Sequence, residues 1–270
     1  MRPFSATLHS ELTVSKPTRS VIEKKTSSEQ TRLTEYRDGE GNETTSLNAL
    51  DTIDNAGSLL EEALKNNAPV VSIIIPAFNE IGTIDKIVNA IRALPVHKQI
   101  IVVDDGSTDG TRDYIAKLSS IPGIDVCLHD RNSGKGAAIQ SGIQRAIGDI
   151  VIVQDADLEY VPSDILLVIE PIVLRKVDVV YGSRYLANPE QDGSALHRFG
   201  NKVLTGLSNF ASGQKLTDME TCYKAFRREL IQSINIEQKR FGFEPEITAK
   251  LARRRIQILE VPIQYKPRSW

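Results

Sequence analysis

Two aspartates one residue apart, Asp155 and Asp157, close the apolar run Ile150 to Val153 in the stretch IVIVQDADLE. A carboxylate pair at this spacing can share a hard divalent cation through oxygen donors, or share a proton. A second acidic pair, Asp104 and Asp105, ends the run QIIVV and opens the glycine-rich stretch DDGSTDG. A third, Asp218 and Glu220, lies in TDMETCYK. Neither His nor Cys neighbours Asp155 and Asp157 in the chain, and aspartate oxygens suit Mg or Mn rather than zinc.

The surrounding pattern says how these groups would be held. Val70 to Ile75, Gln99 to Val103, Ile124 to Leu128 and Ile150 to Val153 are short, β-branched runs of the kind buried on both faces of a sheet. Between them Ile84, Ile87, Val88 and Ile91 recur at helical spacing. A second helix starts near Thr111, and RNSGKGAAIQSGIQRAI predicts a closely packed third with Ile139, Ile143 and Ile147 on one face. Strand, turn and helix in alternation predict an α/β fold, a mainly parallel sheet covered by helices on both faces with right-handed crossovers. In an extended strand residues i and i+2 point the same way, so Asp155 and Asp157 would face one ligand. Strand ends of such sheets gather along one edge. Asp104, Asp105, Asp155 and Asp157 would then share a crevice, and their charges repel unless a cation or a hydrogen-bonding ligand intervenes. A nucleotide with a divalent metal satisfies that requirement.

Further on, Asp164 to Leu174 reads as a helix broken at Pro171, and Val177 to Tyr181 as a strand ending in Gly182, Ser183 and Arg184. Arg198 and Lys202 are i, i+4 neighbours that could grip a phosphate or form a solvated stripe. A helix through Ile247 and Leu251 ends in Arg253, Arg254 and Arg255, which suit a helix C-terminus or a membrane headgroup surface. Ile256 to Ile263 reads as an edge strand interrupted by Pro262.

Composition narrows the classes. A chain of 270 residues with a formal net charge of −2 has no basic footprint for nucleic acid. Cys127 and Cys222 stand far apart and read as reduced, buried thiols. No secretory leader and no run of the roughly 18 apolar residues a membrane span needs is present, so a cytoplasmic location is expected. Residues 1–67 are poor in apolar area and read as a disordered or weakly structured tail with a short helix around Leu59 to Leu64, ahead of one domain over 68–270. Rival motifs fail on register. A calcium loop from Asp105 would place Ala116 at its twelfth position; SGKG lacks the Ser or Thr after the lysine of a phosphate loop; and Ile139 stands where a dinucleotide fingerprint needs Gly or Ala.

The ordered series VSIIIPAFNE, IIVVDDGSTDGT, RNSGKGAA, VIVQDADLE, VYGSRY, TDMETCYKAFRRE and RFGFEPEITAKLARR resembles the family 2 glycosyltransferases, in particular the dolichyl-phosphate mannosyltransferase and polyprenyl-phosphate glucosyltransferase branch. The resemblance implies a GT-A nucleotide-diphospho-sugar transferase fold and a metal-dependent, inverting hexosyl transfer. The donor implied is a nucleotide-diphosphate sugar of the GDP-mannose or UDP-glucose type, the acceptor a polyprenyl phosphate, and the cofactor Mg or Mn. It places Pro76, Phe78 and Glu80 at the nucleoside, Val103 and Asp105 at base and ribose, and Asp155, Ala156 and Asp157 in the metal motif with Glu159 as a further polar ligand. Arg184 falls at phosphate and Asp218 at the catalytic base, while Arg198 is expected at acceptor phosphate on its spacing with Lys202 alone.

The C-terminal segment departs from the family. Arg268 matches a donor-contacting arginine, but Pro267 replaces a glycine and a later lysine of the lid is missing. A shortened lid implies weaker donor binding and a peripheral membrane contact, or a membrane partner, at the cytoplasmic face. Three other readings stay open: a soluble transferase acting on a saccharide hydroxyl, a nucleotidyltransferase, and a non-catalytic nucleotide-sugar-binding module.

Overall fold

The computed structural model describes residues 34–37, 43–46, 70–174, 176–186 and 195–267. The chain divides into two units, Met1–Gly57 and Ser58–Trp270. In the first, β1 (Thr34–Arg37) and β2 (Glu43–Ser46) pair antiparallel, Thr34 opposite Ser46. The rest of the 1–67 tail, including the helix expected around Leu59 to Leu64, lies outside the described residues.

The second unit alternates strand and helix. β3 (Val71–Ala77), α1 (Ile84–Arg92), β4 (Lys98–Asp104), α2 (Thr111–Leu118), β5 (Ile124–Leu128), α3 (Lys135–Arg145) and β6 (Ile150–Val153) follow one another as the periodicity predicts. The second half contributes α4 (Ile165–Val173), β7 (Val179–Ser183), α5 (Ala195–Ser212), β8 (Lys224–Arg227), α6 (Arg228–Gln232), α7 (Phe243–Arg253) and β9 (Leu259–Pro262). Seven strands form one sheet in the order β5-β4-β3-β6-β8-β7-β9. β8 alone runs against its neighbours β6 and β7, and the other pairs are parallel. Every residue of β3 and β6 is buried, which is why their sequences read as apolar runs, broken in β3 only by Ser72.

Three elements differ from expectation. Pro171 does not break α4, which continues to Val173: the proline forgoes its own amide bond to the preceding turn, but Val168, Ile169 and Ile172 stay buried around it and hold the helix on the core. α3 stops at Arg145, so Ile147 leaves the helical face and is exposed. The reversed strand β8 is too short, and too polar at its ends, to stand out from the turn that precedes it.

α3 lies against β3 so closely that a Cβ on Gly142 would fall inside van der Waals contact of Ile74 Cγ2. Ile74 is fully buried and stiff at χ1, so it has nowhere to move. Helix propensity favours alanine by about 1 kcal/mol, but overpacking costs about 1–3 kcal/mol and wins at this position. Gly206, in the exposed part of α5, meets nothing within 4 Å. Gly142→Ala is therefore expected to lower, and Gly206→Ala to raise, the midpoint of urea unfolding followed by circular dichroism; equal shifts for both would refute the packing described for α3.

Candidate active site

The C-terminal ends of β3, β4 and β6 and the first turn of α3 enclose a cleft of about 490 Å³, within the range of small-molecule sites. Pro76, Phe78, Glu80, Asp105, Asp155, Ala156 and Asp157 all line it, so the structure brings most of the expected donor residues together. Val103 is not among them. It is fully buried in β4, where both faces of the strand are covered, and a ligand meets this strand only beyond its end. Asp104, expected in the crevice, is buried beneath it instead.

Each acid meets a specific donor. Arg112 Nη1 donates to Asp104 Oδ2 at 2.8 Å, and the Gly106 and Ser107 amides close the turn on the same carboxylate. Asp105 Oδ1 accepts from the Ser133 amide at 2.9 Å and lies 2.7 Å from His129 Nδ1, while Oδ2 accepts from the Gly134 amide at 2.7 Å. Asp105 thus holds the RNSG loop. Gly134 has φ +102°, and a Cβ there would collide with the Lys239 carbonyl, so only glycine fits between the loop and the 238–240 backbone.

Lys135, the next residue, projects into the cleft. Its Nζ lies 2.9 Å from Asp155 Oδ1 and 3.4 Å from Glu244 Oε1. Burial pulls its pKa down, but Asp155, Cys222 and Glu244 more than reverse this and hold it well above the ordinary lysine value. Sequence reasoning treated this lysine only as a failed phosphate loop. The signal that could have found it is SGKG in the loop after an edge strand whose neighbour, β4, ends in carboxylates.

β6 ends at Val153, so the acid pair lies beyond the strand in a turn rather than along an extended segment. Asp157 Oδ1 accepts from the Glu159 amide at 3.1 Å, and Leu158 between them has φ +65°, a left-handed conformation that strains a leucine. The turn is pinned from outside: Tyr265 Oη donates to Glu159 Oε2 at 2.6 Å, and the Lys266 amide donates to the Glu159 carbonyl at 2.8 Å. Glu159, expected as a further ligand, is thus engaged by the C-terminal segment and does not line the cleft. Arg268 lies outside the described residues.

Arg184 and Asp218 form one unit. Arg184 Nε and Nη2 donate to the two carboxylate oxygens at 2.7 and 2.8 Å, and the Arg184 amide donates to Oδ2 at 3.1 Å. Asp218 is fully buried, and the guanidinium also lies 5.1 Å from the Tyr265 ring centroid. Lys224, fully buried in β8, donates from Nζ to the Met219 and Thr221 carbonyls and fixes the turn that carries Asp218. Both oxygens of Asp218, the residue expected as the base, are engaged by one guanidinium. Arg198 lines a separate groove with Tyr185, Lys202 and Thr217, next in sequence to the Arg184–Asp218 pair but apart from the cleft at Asp155. Cys222 is buried and Cys127 half-buried, both as free thiols.

The residues lining the cleft offer neither imidazole nor thiol, and among the described residues no group of three or more His, Cys, Asp or Glu could hold a metal. Two carboxylates in one cleft nevertheless fit a hard cation of the Mg or Mn type, which takes one or two protein carboxylates and draws its other ligands from phosphates and water.

Comparison with known proteins agrees with the geometry. Residues 72–234 match the family model described as glycosyl transferase family 2. Glycosyltransferase AglJ of Haloferax volcanii is 31% identical over 199 residues, covering 73% of this chain and 63% of the relative. An undecaprenyl-phosphate 4-deoxy-4-formamido-L-arabinose transferase of Aeromonas hydrophila is 31% identical over 201 residues, covering 72% of this chain and 60% of the relative. The chain thus spans less than two thirds of the length of both. Among solved structures, Mycobacterium tuberculosis glucosyl-3-phosphoglycerate synthase, crystallised with Mn2+, uridine diphosphate and phosphoglyceric acid, aligns with a TM-score of 0.61 at 22% identity, over 79% of this chain and 75% of that one. Mannosyl-3-phosphoglycerate synthase of Rubrobacter xylanophilus gives 0.61 at 22% identity, over 80% and 73%. These structures share the GT-A fold, and with the match across the strands and turns that build the cleft, the chain belongs to glycosyl transferase family 2.

Proposed function

We propose that the chain moves a hexosyl group, with inversion, from a nucleotide-diphosphate sugar of the GDP-mannose or UDP-glucose type to a polyprenyl phosphate presented at the cytoplasmic face of a membrane. The observation that carries this reading is the cleft at Asp155 and Asp157, which joins a carboxylate pair, an exposed aromatic ring and a glycine-rich turn in one cavity. The undecaprenyl-phosphate transferase relatives support the acceptor class, and the Mn2+ and UDP bound by the glucosyl-3-phosphoglycerate synthase support the donor and metal classes.

The residues would divide the work as follows. Phe78, partly exposed at the cleft mouth, stacks on the base, and the carboxylates of Asp155 and Asp157 hold Mg or Mn. When bound, such a cation supplies Lewis-acid stabilisation of the charge on the departing diphosphate. Lys135 neutralises Asp155 before the donor arrives and stands within the cleft to meet the phosphates. Arg184, its guanidinium oriented by Asp218 and stacked with Tyr265, faces acceptor phosphate together with Arg198. Because a phosphate with a second pKa near about 6 is already ionised at neutral pH, the acceptor needs no base, which is consistent with the clamped Asp218.

Two outcomes check this assignment. In a donor panel of GDP-mannose and UDP-glucose, with and without Mn, release of nucleotide and glycosylation of a short polyprenyl phosphate should both require the metal. Asp157→Asn should lower kcat by about 100-fold or more with little change in melting temperature. Turnover that is indifferent to chelation would remove the metal from the mechanism, and a sugar hydroxyl serving as the better acceptor would move the assignment to a saccharide transferase.

Asp218→Asn should behave in the opposite sense. It breaks a buried pair, so stability should fall by about 3–5 kcal/mol in urea titrations, while kcat of the remaining folded enzyme falls less than for Asp157→Asn. A variant of native stability with a larger loss of kcat would restore Asp218 as the base.

A further inference from the structure

Helix α5 presents its apolar residues away from the protein it belongs to. Leu196, Phe199, Val203, Leu207 and Phe210 recur at intervals of three and four, so they form one stripe, and all are exposed, Phe210 to 92%. The opposite side, which packs inward, is polar. Thr205 is buried and its Oγ1 accepts from the Met219 amide at 3.1 Å. Asn209 donates from Nδ2 to the Leu216 carbonyl at 2.8 Å and accepts from the Leu216 amide at 2.9 Å. These bonds set the rotation of the helix, so the apolar stripe cannot turn inward without breaking them.

The charged side chains of the helix itself are basic. α5 contains Arg198 and Lys202 and no Asp or Glu. α7 packs beside α5 and ends in Arg253, which lines a groove with Leu204 and Leu207, while Arg254 after it donates to Ser233 at 2.6 and 2.8 Å. Glu220 also lines that groove, and burial pushes its carboxyl above the usual range. A second copy of the chain docked symmetrically on this face would bring the same basic flanks towards each other, since an isologous interface sets a patch against itself. An anionic lipid surface would neutralise them instead.

From this geometry we infer that α5 is a membrane-docking element that lies in the plane of an anionic bilayer, its Phe199–Phe210 stripe inserted among the acyl chains and its basic flanks at the headgroups. None of the described helices is long and apolar enough to cross a membrane, so this is attachment to one face. The inference does not depend on sugar transfer: a chain that bound vesicles and glycosylated nothing would keep it while losing the function proposed above.

The test is flotation of the full chain with vesicles of phosphatidylcholine alone and of phosphatidylcholine with phosphatidylglycerol. The chain should float with the anionic vesicles, bind neutral ones about ten-fold more weakly, and lose most of its binding in high salt. The double substitution Phe199→Ser and Phe210→Ser should weaken anionic-vesicle binding about ten-fold or more without lowering the melting temperature, because both rings are exposed. Wild-type chain that stays with the soluble fraction, or a double variant that floats as well as wild type, would overturn the inference. So would a solution dimer, measured by light scattering, that the double substitution dissociates, since the stripe would then be an interface between copies.

Discussion

The electrostatic repulsion of carboxylates gathered at one edge of a parallel sheet shapes most of this site. Asp104, Asp105, Asp155 and Asp157 arrive there because β4 and β6 end side by side with β3. Two such charges 4 Å apart repel by about 4 kcal/mol at the effective dielectric of a protein surface. The chain answers with donors from the intervening loops: Arg112 for Asp104, the 133–134 amides and His129 for Asp105, and Lys135 for Asp155. The loop conformations follow from that neutralisation, and the glycines follow from the loops. Asp155 and Asp157 line the cleft together with Lys135 and Arg240.

The second half of the chain completes the arrangement through its one reversed strand. β8 returns between β6 and β7 and delivers the 218–222 turn against Arg184. Lys224 holds that turn by its carbonyls, and burial lowers the pKa of its ammonium. Tyr160 packs on both Tyr223 and Tyr265, so one aromatic cluster joins the turn after β6, the reversed strand and the C-terminal segment. The turn bearing Asp157 and the Arg184 clamp therefore rest on shared supports, a reason to treat the two as mechanically coupled.

β3, β4 and β6 were legible because burial on both faces writes β-branched runs, and α1 because Ile84, Ile87, Val88 and Ile91 all point into the core. The cleft itself was legible from carboxylates placed where such runs stop. Three features were not. β8 has only four residues and a buried lysine, so neither apolar run nor alternation marks it. The Arg184–Asp218 pair spans 34 residues, and no local spacing reveals that each neutralises the other. Val103 and Asp105 looked equivalent as strand-end residues, yet the strand ends at Asp104 and leaves only the second of them at the cleft.

The claim on which the rest hangs is that Asp155 and Asp157 complete their coordination only with a cation and a diphosphate together. The direct measurement is calorimetric titration of Mn into the protein with and without saturating GDP or UDP, repeated on Asp157→Asn. The account predicts weak Mn binding alone, binding at least about ten-fold tighter in the presence of the nucleoside diphosphate, and loss of that enhancement in the variant. Mn affinity unchanged by either nucleotide, or an enhancement that survives the substitution, would contradict it.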